Sequence, residues 1–371
     1  MPFDSFLITL DGAEATDLYE DLVSLDVELC DDLPASFRLV VGTAKEEGGT
    51  WTYLDEERFR PWTPVTVEAG FVESGREEVF SGYVTSAVVT LDPNPSRGTI
   101  EISGIDGSVL MDREEKLAAW PNKKDSDIAT QILQLHGFTP TVEDTAVVHD
   151  EALSTVIQRE TDWQFLRRLA LRNGFDCWVE GTDAFFRPTP TDPEPQPVLA
   201  AHFGGETNLT RFAVTVDALR PMEVAMFQVD RFAKEVLAAE VTASPQDALG
   251  SLTPPTLLSA GVPAGRLVVA KNAATGAPEM QALCEGLVRE GAWFVSAEGA
   301  IDAGAYGHVL RPRGLVTIKG VGETHSGVYY VSFAKHAFTR DGYTQTFRVQ
   351  RDGLLPTGSE AFASGDGLAI V

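Results

Sequence analysis

The sequence predicts an α+β protein, mainly β, in which two similar antiparallel β-domains flank an α/β region. Three observations point there. Short alternating strands fill the first hundred residues, the apolar period lengthens from 2 to 3.6 near Met111, and an early strand pattern returns about 250 residues later.

Phe6-Leu7-Ile8-Thr9-Leu10, Leu25-Asp26-Val27-Glu28-Leu29 and Phe37-Arg38-Leu39-Val40-Val41 have the rhythm of half-buried strands, and Asp31-Asp32-Leu33-Pro34 supplies a turn between two of them. Val65 to Phe71, Glu78 to Thr90 and Thr99 to Ser103 add three more strands, with Asp92-Pro93-Asn94-Pro95 as a turn. So many short strands in so few residues predict a small barrel or sandwich.

Beyond Met111, Asp125-Ser126-Asp127 caps a helix whose Ile128, Ile132 and Leu135 share one face and which Gly137 ends. Thr161 with Gln164 has capping-box spacing and opens a second helix carrying Trp163, Phe165, Leu166, Leu169 and Ala170. Phe175 to Val179 and Ala184 to Arg187 predict a hairpin, and Pro188 to Pro197 a linker. Strands follow at Leu209 to Val216 and Val224 to Val229, then a helix from Pro278 to Glu290. Residues 356–371, rich in Gly, Ser and Ala, have the composition of a flexible tail, in which Leu368, Ile370 and Val371 are docking candidates.

The repeat is specific. Arg60-Pro61 before Pro64-Val65-Thr66-Val67 matches Arg311-Pro312 before Leu315-Val316-Thr317-Ile318 at an ungapped shift of 251. Tyr83-Val84-Thr85-Ser86 matches Tyr330-Val331-Ser332, shift 247; Thr99 to Ile102 then Asp106-Gly107 matches Thr346 to Val349 then Asp352-Gly353. Three matches in one order indicate duplication of a β-domain.

Composition narrows the function. Asp and Glu number 55 against 29 Lys and Arg, a net charge of −26, which repels nucleic acid and anionic lipid. The N-terminus lacks a basic and an apolar region, so synthesis in the cytoplasm without a signal peptide is expected, and no segment suits membrane insertion. Cys30, Cys177 and Cys284 have apolar or aromatic neighbours, the pattern of buried thiols in a reducing compartment.

No chemistry stands out. None of the histidines at 136, 149, 202, 308, 325 and 336 has a partner at metal-ligand spacing, and His136 is placed to serve helix-end carbonyls. No nucleophile elbow, phosphate loop or dinucleotide fingerprint occurs, so neither catalytic residue nor cofactor is expected. Glu160 and Asp162 favour a helix start electrostatically, and Trp163, Phe165 and Trp178 suit a core better than a sugar site.

The segment Val156-Ile157-Gln158-Arg159-Glu160-Thr161-Asp162-Trp163-Gln164-Phe165-Leu166, continuing to Asn173-Gly174-Phe175 and Phe186-Arg187-Pro188, resembles phage late control D proteins and the N-terminal part of VgrG spike proteins. Phe80-Ser81-Gly82-Tyr83-Val84, Gly104-Ile105-Asp106, and Gly327 to Tyr330 with Tyr343 to Phe347 follow in the family's order, so the resemblance spans residues 3–353. It implies two similar antiparallel β-barrels plus an intervening α/β region: residues 1–112 for the first barrel, 113–204 and 243–304 for the α/β part, 205–242 and 305–355 for the second barrel, and 356–371 for the tail.

By the same resemblance, the expected function is a non-enzymatic baseplate hub of a contractile injection system or phage-like tail. It would be a homotrimer joining the hexameric inner tube protein to a trimeric spike among other baseplate components. The chain carries no needle repeats of the VgrG kind, so a separate spike protein is expected. Two other readings stay open: a tail-tip hydrolase of the cell envelope, needing a carboxylate pair in a cleft, and a receptor- or carbohydrate-binding module.

Overall fold

In a computed structural model, the structure describes residues 6–360 and 362, apart from 72–74, 95–96, 153–154, 191–192, 221, 231, 259–260 and 271–273. The alternating N-terminal segments form β1 (Phe6–Leu10), β2 (Ala13–Glu14), β3 (Leu22–Cys30), β4 (Ser36–Thr43), β5 (Pro64–Phe71), β6 (Gly75–Thr90) and β7 (Gly98–Asp106). Their inward positions, among them Leu25, Val27, Leu39, Val67, Val84 and Ile102, are buried in one core.

The middle region holds β8 (Ala118–Trp120), β9 (Lys123–Lys124), α1 (Asp125–Leu135), β10 (Thr139–Val142), β11 (Val148–His149), β12 (Val156–Gln158), α2 (Asp162–Asn173), β13 (Asp176–Glu180) and β14 (Asp183–Arg187). Ile128, Ile132, Phe165, Leu166 and Leu169 share a core with the predicted hairpin. Leu135 departs from expectation: it is 72% exposed, because Ala129 and Leu133 shift the buried stripe of α1 to the other side of Ile132.

The remainder comprises β15 (Gln196–Ala200), β16 (Leu209–Val216), β17 (Met222–Val229), β18 (Val236–Val241), α3 (Pro254–Leu258), β19 (Gly265–Val269), α4 (Ala277–Ala292), β20 (Val295–Asp302), α5 (Ala303–Tyr306), β21 (Leu315–Lys319), β22 (Gly327–Thr339) and β23 (Gly342–Arg351). Three pairings bear on how the segments are grouped. β20 lies in the main sheet, β15 pairs with β21 at the end of the expected linker, and β17 with β18 joins β19 in a separate sheet under α4.

The protein is mainly β, as expected. Thirteen of the described strands form one sheet, running β16-β20-β23-β22-β3-β4-β7-β6-β5-β1-β2, with β21 and β15 attached through β22. Among the described residues no pairing closes either half into a barrel. The halves meet where β3 pairs with β22, and each has its own core.

The duplication is written in the hydrogen bonds. Pro64 lies opposite Tyr83 as Leu315 lies opposite Tyr330, and Val67 opposite Phe80 as Ile318 opposite Gly327. A bulge follows in both long strands, at Thr85 and at Ser332, where each hydroxyl donates to a carbonyl of the next strand, Ser103 at 3.3 Å and Arg348 at 3.2 Å.

Ser103 and Arg348 therefore correspond, and β7 maps on β23 at a shift of 245. The sequence match at 247 is two residues out of register. From that anchor β4 maps on β20 and β3 on β16. Leu22 faces Val41 and Leu209 faces Ile301, each followed by a second shared bulge.

Candidate assembly interface

The seam between the halves runs from the Cys30–Phe333 pair to the Ser24–Thr339 pair. Phe338 crosses it into the first core, its ring 5.2 Å from Phe6 and stacked at 4.2 Å on Tyr343. Lys335 bridges Asp26 at 3.4 Å and Glu28 at 3.3 Å. Such partly exposed pairs contribute at most about 1 kcal/mol each, so the apolar face holds the seam. Arg340 closes its end by donating to the carbonyls of Leu22 and Glu20 at 3.0 and 2.7 Å.

At the other end, Arg313 donates to the carbonyls of Cys30 and Asp31 at 2.8 and 3.0 Å, with its guanidinium 4.9 Å from the centre of the Trp178 ring. Burial pushes the Asp31 carboxyl up to about 7 against the pull of Arg313. Burial also raises Asp176, despite its Thr189 hydrogen bond, and Asp106, despite N–H bonds from Ser108 and Ala35. One arginine thus lies near three acids whose carboxyls burial shifts upward.

Trp178 borders a cleft of about 100 Å³ here, below the roughly 300 Å³ at which ligand pockets begin. It is buried under Arg313 and stacks at 4.7 Å on Phe185, so it has no face to offer a sugar. Trp163 and Phe165 are core residues, as expected. A larger hollow of about 580 Å³ lies between α3 and the end of α4, and Asp352 on its wall already accepts from Leu249 N–H and Gln246.

The other residues singled out in the sequence are structural. Thr161 caps α2 by accepting from Gln164 N–H, and Glu160 pairs with Arg168 at 2.7 Å. Burial opposes ionisation of Asp162, but hydrogen bonds from His136, Lys116 and Gln158 outweigh it and keep the carboxyl below its usual value. His136 therefore serves Asp162 rather than the helix carbonyls, because the buried carboxylate is the stronger acceptor.

His149 lies 3.1 Å from Asp125, which His149, Arg172 and Asn173 hold at about 2 against burial. His336 is fully buried, 2.8 Å from the Tyr343 hydroxyl, and burial reinforced by Arg311 holds it at about 3.

Of the cysteines only Cys284 is fully buried; Cys30 and Cys177 are half-buried, with thiols pushed by burial up to about 11 and about 12. Cys30, Asp31 and Asp32 form the one His/Cys/Asp/Glu cluster with metal-ligand spacing among the described residues. There the thiol donates to Asp32 at 2.8 Å. Leu368, Ile370 and Val371 lie outside the described residues. No helix among the described residues is long and apolar enough to cross a membrane.

What sequence reasoning missed is a pair of open strand edges. β6 continues past its pairing with β5, so among the described residues Ser86 to Thr90 bond only to β7, and Val88, Val89 and Leu91 are 51%, 45% and 49% exposed. The edge of β16 facing away from β20 is likewise unpaired among the described residues. The run Ala87-Val88-Val89-Thr90-Leu91, apolar on both faces, was the available signal.

The fold is that of tail proteins. A 43 kDa tail protein of prophage MuSo2 from Shewanella oneidensis is similar over 94% of this chain and 99% of its own, with TM-score 0.69 and 14% identity. A tail protein from Neisseria meningitidis is similar over 95% and 97%, with TM-score 0.65 and 15% identity. An E. coli component of the type VI secretion system, described as structurally similar to bacteriophage tail proteins, matches over 89% and 73%, with TM-score 0.54 and 11% identity. No curated protein matches the sequence significantly. The family model that matches is the Alg8 N-terminal domain, over residues 3–340, which takes in the first half, the seam and the second half as far as β22, and the chain belongs to that family.

Proposed function

We propose that this chain is a non-enzymatic structural hub in the baseplate of a phage tail or phage-tail-like injection particle. The observation that carries this reading is the repeat in matched register. Five strands of the first half recur in the second with the same pairings and bulges, inside a fold shared with tail proteins. One chain then presents two near-equivalent units, and three chains present six. Such an assembly can meet a hexameric inner tube on one side and a three-fold spike, carried on a separate protein, on the other.

In this reading the domains are the two half-sheets with the α/β region hung between them, and the contacts are made by edges and loops rather than by a ligand pocket. The test is assembly. Three chains of 40.1 kDa should sediment together, and the complex should bind rings of its cognate tube protein. A chain that stays monomeric at micromolar concentration and ignores the tube protein would overturn it.

A further inference from the structure

The hollow of about 580 Å³ between α3 and the end of α4 has the size of a ligand pocket, and its walls select one kind of ligand. Pro254, Pro255, Val288 and Ala292 give it an apolar lining, into which Glu223 and Asp352 set two acids. Among the described residues no Lys, Arg or His lines it.

Two polar atoms on this wall are left over. Ser244 Oγ and Gln246 Oε1 are buried and have no hydrogen-bond partner among the described residues. Asp352 fixes which end of the Gln246 amide is spare: it accepts from the Leu249 N–H at 2.7 Å and from Gln246 Nε2 at 3.2 Å, so the amide oxygen is the end without a partner. Buried polar atoms are nearly always paired, and an orphan beside a ligand-sized hollow calls for a donor from inside it.

The neighbouring cation is already committed. Arg351 is fully buried and donates to the carbonyls of Leu249, Ser326 and Leu355 at 3.0, 3.1 and 2.6 Å. Burial accordingly raises the Asp352 carboxyl above its usual value in spite of its hydrogen bonds, as for an acid short of a positive partner.

The wall is also fastened. Gly250 and Gly353 approach so closely that a Cβ on Gly250 would sit 2.4 Å from the Gly353 carbonyl carbon, and Leu252 and Leu354 exchange backbone hydrogen bonds at 2.9 and 3.0 Å just beyond. The loop carrying Ser244 and Gln246 is thereby tied to the residues after β23, where Asp352 lies.

We propose that this hollow binds an ammonium group carried on a compact apolar body, the chemistry shared by a small organic amine and a lysine side chain. An anion meets two acids there, and a hydrocarbon leaves the orphaned atoms unpaired. An ammonium group brings three donors and a positive charge to a wall of acceptors, and the prolines and Val288 enclose the apolar part. The site lies apart from the strand edges and does not depend on the hub reading.

Saturation-transfer NMR on the full chain at about 0.15 M salt tests it, with screening strong enough to suppress loose attraction to the acidic surface. The probes are cyclohexylmethylamine, its neutral counterpart cyclohexylmethanol, and the blocked tripeptide acetyl-Ala-Lys-Ala-amide. The amine should bind about tenfold more tightly than the alcohol, and Glu223→Gln should weaken the amine by about tenfold, the scale of one hydrogen bond to a charged group. Ala264→Phe, which places a ring in the hollow, should abolish binding with an unchanged circular dichroism spectrum. If that variant does not fold, Ala248→Phe fills the same space from the loop before α3.

A tripeptide that displaces the amine assigns the site to a lysine of a partner protein, and one that does not assigns it to a free amine; either supports the proposal. Equal binding of amine and alcohol, no binding of any probe, or an amine affinity untouched by Glu223→Gln would overturn it. So would amine binding that survives filling of the hollow, the behaviour of an ion held only by the −26 surface.

Discussion

Trp62 and Arg313 occupy the same place in the two halves, each in the left-handed backbone region with φ of 75° and 60°. Each donates its N–H to the long strand that follows, Trp62 to the Val84 carbonyl at 2.7 Å and Arg313 to the Val331 carbonyl at 2.9 Å. A non-glycine residue held there costs on the order of 1–3 kcal/mol, so surrounding contacts must fix both. The same strained corner appearing twice, 251 residues apart, is the mark of one ancestral unit used two ways.

In the second half that corner carries a working side chain. Arg313→Ala removes two carbonyl bonds across the seam and leaves Asp31 and Asp176 without their shared cation. Urea unfolding should show a loss of about 2–4 kcal/mol. A loss under about 0.5 kcal/mol, the scale of an ordinary surface change, would mean that Arg313 does not hold the seam.

A second prediction concerns one cross-strand pair. Leu39 faces Ile102 in the first half, and the corresponding pair in the second is Gly299 and Phe347. The Phe347 ring fills the space a side chain at 299 would take, 2.4 Å from where a Cβ would sit. Gly299→Leu should therefore cost about 3 kcal/mol, within the range for overpacking. Adding Phe347→Ile, which imports the first half's pair, should recover part of it. The Arg211 carbonyl, 2.8 Å from the same Cβ position, keeps the rescue incomplete. Strict additivity in the double-mutant cycle would refute the correspondence of these pairs.

That exchange explains how much the sequence disclosed. Strands β5 and β21, and the start of β6 and β22, were legible because Arg-Pro and Tyr-Val persist in both copies. The match of β7 to β23 came out two residues off, since a slip of two keeps every side chain on its face and leaves the apolar alternation unchanged. The match of β3 to β16 and β4 to β20 was invisible, because Leu39 and Ile102 became Gly299 and Phe347, conserving filled space rather than identity. The three longer helices, α1, α2 and α4, were legible from their spacing, apart from Leu135, whereas the short α3 and α5 were not. The open β6 edge was hidden because an apolar run says nothing about which of its sides is paired.

Two buried groups oppose each other in pH dependence. Asp31, raised to about 7, favours the folded state below its unfolded value near 4, and that contribution is lost as pH rises to about 7. His336, lowered to about 3, favours the folded state above about 6.5, and its contribution is lost as pH falls toward 3. Between about pH 4 and 6.5 the slopes oppose each other. Asp31→Asn should leave a stability that rises with pH across this window, and His336→Gln one that falls, by urea unfolding at each pH. Identical slopes in the two variants would contradict the assignment.

Charge sets a further expectation for self-association. Copies of a −26 chain repel one another, so the proposed hub assembles against a charge that salt screens. Raising salt from about 0.05 to about 0.5 M, which shortens the screening length severalfold, should tighten the assembly. Sedimentation equilibrium reads this, and dissociation by salt would indicate an interface dominated by ion pairs.

The most direct measurement is a single-particle image of the purified chain in its assembled state. The account predicts a closed ring of three chains showing six near-equivalent units. A two-fold dimer, or a chain that stays monomeric, would contradict it.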